Sequence, residues 1–222
     1  KAKEDPSSDN VIVCPEIPEG KEQAFRVLLN YFGLTDFFYP PCTFDSLDID
    51  NIDVVLPHDS GVDVTKSENM IQFSKSSRDN EWDIVACKPT LDSSGEGSFW
   101  KVTIDALPSD WIFLGIIGNL DASNSNGSFT DPTCYGWMNN SGVYQRGSYS
   151  YGDSGWTDFF GGECLYFHLK EDKLKMFSVQ KKKKFTMDVA TTVVYYIHFN
   201  MLHKGTKVTL EPLNEEERAH VL

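Results

Sequence analysis

The stretch "GWTDFFGGECLYFHLKEDKLKMFSV", residues 155–179, decides the fold class. A Gly-Gly step leads into two strand-like runs that are separated by the tight turn "KEDK". A phosphate-binding glycine loop needs a following helix, because the first N–H groups of that helix contact the anion. A strand pattern follows here, so the glycines mark a turn. In the first run Leu165, Phe167 and Leu169 occupy alternate positions, which predicts that they form the core face of a strand.

Short strand patterns continue on both sides of this stretch, from Met70 to Leu210. In "SFWKVTIDAL" Trp100, Val102 and Ile104 alternate with Phe99 and polar residues. The segment "WIFLGIIGNL" is continuously apolar, as expected of a strand that is buried on both faces. Regular short strands with turn signals between them predict an antiparallel β-sandwich or barrel. After residue 40 no segment shows a helical period.

The chain has 222 residues and a net charge of −13. Residues 1–65 carry 13 acidic and 4 basic residues, whereas residues 66–222 carry 20 and 16. Binding to nucleic acid is disfavoured, since phosphate contacts need a basic surface. The basic run "KKKK" at 181–184 lies between two strand patterns and is expected to be a solvated hairpin tip. No apolar run reaches the ~18 residues of a membrane helix, so no membrane partner is expected.

The cysteines are few, odd in number and unpaired in their spacing. They lie at positions 14, 42, 87, 134 and 164. This pattern indicates neither a zinc site nor a disulfide framework, so we expect a cytoplasmic protein with reduced thiols. Two N-x-S triplets begin at Asn126 and Asn139 and would suit a secreted protein, but such triplets also arise by chance in loops rich in Asn and Ser.

The N-terminal region has a different character. An apolar run "VIVC" precedes Pro-Glu, and "KEQAFRVLLNYFGL" then predicts an amphipathic helix that ends at Gly33. With "TDFFYP", residues 11–40 resemble the C-terminal end of a BTB domain of the potassium-channel tetramerisation type. The alternative is an ordinary helix that packs on the main domain.

A second resemblance covers about residues 65–212. The segments "SFWKVTIDALPSDWIFLGII", "CYGW", "GVYQRG", the 155–179 stretch and "YYIHFNMLHKGTKVTL" follow the order of motifs in SPRY domains. The chain resembles a divergent member of that family. The resemblance implies a bent, concanavalin-like sandwich of two antiparallel sheets, no enzymatic activity, and binding of protein partners through loops at one edge. Together with a BTB-like segment, it implies a ubiquitin-ligase adaptor that is homo-oligomeric through that segment.

Recognition residues are concentrated between positions 135 and 156, where Tyr and Trp mix with Gly, Ser and Asn. Loops that bind other proteins use this composition, since rigid aromatics supply contact area and small polar residues adapt. We predict a binding site formed by Tyr144, Arg146, Tyr149, Tyr151, Asp153 and Trp156. Exposure is expected for Tyr144, Arg146, Tyr149 and Tyr151. Trp137 and Trp156 could instead fill the core.

Catalytic and metal sites find little support in the pattern. His198 and His203 are five residues apart, and no Cys or Glu completes a metal set, so no cofactor is expected. Asp158 and Glu163 flank the glycine turn and are the best carboxylate pair for a hydrolase. A lectin-like, carbohydrate-binding domain would use the same loop aromatics as a protein-binding module and remains the main alternative.

The expected layout has four parts. These are an N-terminal helical appendage at 1–40, an acidic linker at 41–66 that ends in a strand near Ile52–Leu56, a sandwich at 67–213 and a C-terminal tail at 214–222. The sequence therefore predicts an all-β, non-catalytic protein-interaction module.

Overall fold

A computed structural model of the chain describes residues 47–77, 79–109, 111–124, 127–151, 156 and 158–222. The predicted N-terminal helix and the BTB-like segment at 11–40 lie outside the described residues. Within the described ranges, two seven-stranded sheets form a β-sandwich, and neighbouring strands are antiparallel throughout. The predicted all-β sandwich class is thus confirmed.

Both sheets take strands from distant parts of the chain. The first sheet has the order β1 (Asp53–Val55), β4 (Asp83–Leu91), β13 (Tyr195–Met201), β6 (Ile112–Ile117), β7 (Tyr135–Met138), β8 (Gly142–Gln145) and β9 (Ser148–Tyr151). The second has the order β12 (Lys183–Asp188), β11 (Lys173–Ser178), β10 (Cys164–Lys170), β5 (Ser98–Ala106), β14 (Lys207–Glu211), β3 (Met70–Lys75) and β2 (Val62–Ser67).

The inner faces of the two sheets share one hydrophobic core. Phe73 of the second sheet meets Phe199 of the first edge-on, with ring centroids 5.6 Å apart. Trp100 stacks on Phe167 of the neighbouring strand at 5.2 Å. Each fully buried side chain of this size contributes about 1.5–3 kcal/mol relative to an exposed one. The alternate apolar side chains therefore stabilise the fold because they are buried between the two sheets.

The described part of the 155–179 stretch forms two adjacent strands of the second sheet, β10 and β11, as predicted. β10 pairs with β5 on one side and with β11 on the other. Leu165, Phe167 and Leu169 are all 0% exposed and belong to the core. Gly162 has a φ of +86°, which suits a turn and which only glycine adopts without strain.

β6 is buried along its whole length, as its continuous apolar run predicts. Its inner-face residues join the main core, while Phe113 and Ile117 lie on the outer face in a second cluster. The described residues between β6 and β7 supply part of the cover of that outer face, through Ala122, Phe129 and Cys134. They contain two short 3-10 helices, η1 (Leu120–Asn124) and η2 (Ser128–Thr130).

Two segments differ from the expectation. β1 confirms the strand expected near Ile52–Leu56, but β2 begins at Val62, inside the expected linker at 41–66 and upstream of the expected start of the sandwich at residue 67. The expectation of no helix after residue 40 is wrong, because α1 (Glu215–Arg218) forms in the C-terminal tail. One turn of helix is too short to show a period, but Asn214 and Glu217 form the capping box that starts it.

Candidate interaction surface

Four of the predicted binding residues lie on a β-hairpin at the edge of the first sheet, namely Tyr144, Arg146, Tyr149 and Tyr151. β8 and β9 pair from Gly142↔Tyr151 to Gln145↔Ser148, which leaves a two-residue turn. Arg146 and Gly147 form this turn with φ values of +54° and +69°, the signature of a type I′ turn. Arg146 is exposed at the tip of the hairpin. A non-glycine residue at positive φ is strained, and such strain is found at functional positions.

Tyr149 and Tyr151 are the most exposed part of this hairpin. Their exposed fractions are 53% and 70%. They pair with Tyr144 and Gly142, so both project from the outer face of the first sheet. β9 is also the last strand of the sheet. The expectation that these two tyrosines are exposed is confirmed.

Tyr144 is buried, contrary to the expectation of exposure. Only 8% of it is accessible, since its ring packs against Phe113 at 5.8 Å, Phe129 at 5.1 Å and Tyr149 at 5.4 Å. Burial raises the pKa of Tyr144, with smaller contributions from Tyr149 and Cys134. Tyr144 therefore supports Tyr149 from beneath.

Trp156 lies in the core and Asp153 lies outside the described residues. Trp156 is 5% exposed and contacts Phe185 edge-on at 4.7 Å. Its Nε1 donates to the carbonyl oxygen of Met138 at 3.0 Å. The side chain of Trp156 is thus anchored in the core of the sandwich, and it is not a surface contact.

Further aromatic residues extend the surface beyond the predicted set. Trp82 and Trp111 meet at 3.8 Å, and each lies 5.4 Å from Phe129. All three are partly exposed. With Tyr144 and Tyr149 they form a continuous line of ring contacts, which we call the aromatic row (Trp82, Trp111, Phe129, Tyr144 and Tyr149). Its members come from four distant segments, so local sequence patterns did not reveal it.

Two glycines make room for this arrangement. A Cβ at Gly142 would lie 2.9 Å from Cε2 of Tyr149, so the ring of Tyr149 rests over that glycine. A Cβ at Gly147 would lie 2.2 Å from the carbonyl oxygen of Thr130. The hairpin turn is therefore docked closely against the end of η2, next to Phe129.

A buried polar network anchors η2 beneath the aromatic row. His198 Nδ1 lies 3.0 Å from the Val85 carbonyl, which only accepts, so Nδ1 carries the proton and Nε2 accepts. Nε2 lies 3.1 Å from Ser128 Oγ and 2.9 Å from Asn200 Nδ2. Burial lowers the pKa of His198 to about 4. A Ser–His contact can activate a nucleophile, but Ser128 and His198 are both 0% exposed and no substrate reaches them.

The carboxylates considered for hydrolysis serve structural contacts. Glu163 is 7% exposed and accepts from the backbone N–H of Phe160 at 3.1 Å and from Ser178 Oγ at 3.2 Å. Asp158 accepts a hydrogen bond from the Ser141 hydroxyl. Across the described residues, no group of three or more His, Cys, Asp or Glu side chains is arranged to hold a metal ion.

The structure also places one of the N-x-S triplets and three of the cysteines. Asn139, the first residue of one N-x-S triplet, is 1% exposed, and its Oδ1 accepts from the Ile112 N–H at 2.8 Å. Cys87, Cys134 and Cys164 are free thiols, and burial raises the pKa of each, for Cys87 to about 12. In the part of the chain that is described, no helix has the length and apolarity needed to cross a bilayer.

Comparisons with known proteins bear on the fold. No protein-family model matches the sequence, and no curated protein matches it. The crystal structure of the SPRY domain of human HERC1 matches 75% of this chain and 98% of its own chain, with 9% sequence identity and a TM-score of 0.53. The chain has the SPRY fold.

Two further solved structures are similar. The PSpry domain of TRIM65 matches 73% of this chain and 93% of its own at 14% identity, with a TM-score of 0.49. A human SPRY domain matches 68% of this chain and 97% of its own chain, with 12% sequence identity and a TM-score of 0.48. At these identities the likeness concerns the fold, and function has to be inferred from the surface.

Proposed function

We propose that this chain is a non-catalytic module that binds a protein or peptide partner through the outer face of the first sheet, at the β8–β9 hairpin. The observation that carries this proposal is the pair of exposed tyrosines on the last strand, of which Tyr149 packs against Tyr144 and so ends the aromatic row. Tyr151 is 70% exposed and Tyr149 is 53% exposed. Tyrosine is enriched in the contact residues of protein interfaces because it buries much area at little entropic cost.

The neighbouring residues complete an interface of ordinary composition. Trp82, Trp111 and Phe129 are partly exposed and supply apolar area beside the tyrosines. Arg146 at the hairpin tip supplies a cation that can pair with an acidic group at the rim. An apolar centre with a polar rim is the arrangement of most protein–protein interfaces.

The resemblance to SPRY domains supports the same function, because it implies a domain that binds partners without catalysis. We propose further that the protein acts in the cytoplasm as a substrate-recognition adaptor of a ubiquitin ligase. In this proposal residues 11–40 belong to a BTB-like region through which the intact protein forms homo-oligomers. The function requires neither a cofactor nor nucleic acid or membrane binding.

A loss-of-contact experiment tests the surface. In affinity purification with quantitative mass spectrometry, Tyr149→Ser combined with Tyr151→Ser should reduce recovery of the specific partners at least tenfold. The matched control is Phe160→Ser, which removes another aromatic side chain of similar exposure, 52%, away from the aromatic row. Circular dichroism and thermal unfolding establish that both variants fold.

Equal recovery by the double variant and the wild-type chain would refute the proposed site. The lectin alternative predicts a different result, namely that free oligosaccharides displace the bound material and that deglycosylation of the lysate abolishes recovery. The protein-binding proposal predicts that recovery is insensitive to both treatments.

A further inference from the structure

The second sheet carries a concentration of positive charge on an acidic protein. Residues 164–188 contain seven lysines and three carboxylates, whereas the whole chain has a net charge of −13. The strands in this segment are β10, β11 and β12, which are adjacent at one side of the second sheet. The charge is therefore gathered in space as well as in sequence.

Three of these lysines form a line across the outer face. Lys175 pairs with His168 on β10 and with Thr186 on β12. Lys170 lies two residues further along β10, and Lys184 lies two residues back along β12, beside Phe177. Each is thus a diagonal neighbour of Lys175, at a spacing of about 7–8 Å. We call Lys170, Lys175 and Lys184 the lysine diagonal.

The lysine diagonal is only partly neutralised by the protein. Lys173 is paired with Asp172 and Asp188 at the end of the hairpin. Among the described residues, neither Lys170 nor Lys184 has a carboxylate within 4.0 Å. Partial burial lowers the pKa of Lys175, and the positive charges of Lys184 and Lys170 lower it further. Like charges at this spacing favour an anionic partner, because the partner relieves their repulsion.

The same face already holds a peptide segment of this chain. The C-terminal tail packs beside the lysine diagonal, where Lys175 Nζ donates to the Leu222 carbonyl at 3.0 Å. The ring of His220 stacks on Phe177 with centroids 5.1 Å apart, and Val221 is 0% exposed. On this face Lys175 thus contacts a main-chain oxygen of the tail, and Phe177 contacts one of its rings.

We propose that the lysine diagonal binds an extended acidic segment of a partner protein, with carboxylates at alternate residues. Residues i and i+2 of an extended chain are about 6.6–6.8 Å apart. This repeat matches the spacing of the lysines closely enough for three flexible ammonium groups to reach three successive carboxylates. The surface lies on the opposite sheet from Tyr149 and Tyr151, so it is separate from the function proposed above.

Fluorescence polarisation with a labelled Gly-Glu-Ser-Glu-Ser-Glu-Gly peptide tests this site directly. We expect saturable binding by the wild-type chain that weakens as the salt concentration rises from 50 to 300 mM, and no binding of the matching peptide with Gln in place of Glu. Lys170→Ala combined with Lys184→Ala should weaken binding at least fivefold. Lys183→Ala combined with Lys204→Ala removes the same charge from exposed lysines outside the lysine diagonal. This control variant should bind the Glu peptide with an affinity within twofold of the wild-type chain.

Three results would overturn the proposal. The first is an equal loss of peptide binding in the two lysine double variants, and the second is equal binding of the Glu and Gln peptides. The third is tighter binding to phosphatidylserine vesicles or to single-stranded RNA than to the peptide, if Lys170→Ala combined with Lys184→Ala abolishes that binding. The Tyr149→Ser/Tyr151→Ser variant should bind the acidic peptide normally. Failure of one site is therefore distinguishable from failure of the other.

Discussion

The outer faces of the two sheets carry different chemistry on the same scaffold. On the first sheet the aromatic row and the 118–134 segment cover the strands, and the exposed groups at the edge are tyrosines. On the second sheet the outer face beside the C-terminal tail carries lysines, of which Lys184 is exposed and Lys170 and Lys175 are half-buried. The inner faces, by contrast, share one apolar core. The core thus fixes the fold, while each outer face is free to serve a different class of partner.

The largest expected difference between the two outer faces is in how much free energy of unfolding is lost when a phenylalanine on each face is truncated. Phe113, on the outer face of the first sheet, is 0% exposed, so Phe113→Ala should lower the free energy of unfolding by about 3–5 kcal/mol. Phe177, on the outer face of the second sheet, is partly exposed, so Phe177→Ala should cost only about 1–2 kcal/mol. Urea denaturation measures both values. Equal losses would show that the two faces are covered to the same extent.

The buried network under the aromatic row should make the stability dependent on pH. The pKa of His198 is about 4 in the folded chain, whereas an ordinary histidine, as in the unfolded chain, has a pKa of 6.5. Between these values the unfolded chain binds a proton that the folded chain excludes, so stability is fully present above pH 6.5 and falls as the pH approaches 4. The loss is about 3 kcal/mol.

His198→Gln isolates this contribution, because glutamine does not titrate. Urea denaturation of both proteins between pH 7 and pH 4 should give a shallower pH dependence for the variant, whatever its absolute stability. Parallel curves would mean that His198 does not stay neutral in the folded chain.

The docking of the hairpin on η2 can be tested with two glycines. Gly147→Ala combines a positive φ with a clash against Thr130, and we expect a loss of about 1–3 kcal/mol together with weaker partner binding. Gly95 has a φ of +56° and no atom within 4 Å of an added Cβ, so Gly95→Ala reports the backbone strain alone. If Gly147→Ala lowered the free energy of unfolding less than Gly95→Ala does, that result would contradict the close approach of the turn to Thr130.

The smallest expected effect concerns the tail on the second sheet. The Asn214 side chain accepts from the Glu217 N–H at 2.9 Å and starts α1. Asn214→Ala should therefore cost about 1 kcal/mol, as measured by thermal unfolding. Glu216→Ala, in the same turn but outside the capping box, serves as the control and should change stability little. A loss at Glu216 equal to that at Asn214 would argue against the cap.

The strand pattern of this chain was predictable because alternation is local. The core positions of β5 and β10 and the complete burial of β6 follow directly from the order of side chains. β2 and β9 were missed because neither has a strong alternation of apolar residues. The hairpin turn at Arg146-Gly147 lacks the Asn-Gly pair that usually marks such a turn.

The candidate site was predictable only in part, since exposure depends on distant segments. Tyr144 and Tyr149 have similar sequence surroundings and lie on the same outer face, yet Phe129 of η2 covers the first and leaves much of the second accessible. Trp82 and Trp111 join the aromatic row from loops far away in sequence. Only the three-dimensional arrangement brings these residues together.

Site-specific photo-crosslinking tests the central claim most directly. A p-benzoylphenylalanine side chain would replace Tyr151 in one protein and Phe160 in another, and the intact chain would be irradiated in cell lysate and its adducts identified. We predict a defined protein adduct from position 151 that is absent at position 160. Adducts of equal yield from both positions, or from position 160 alone, would contradict the assignment of the partner surface to the β8–β9 hairpin.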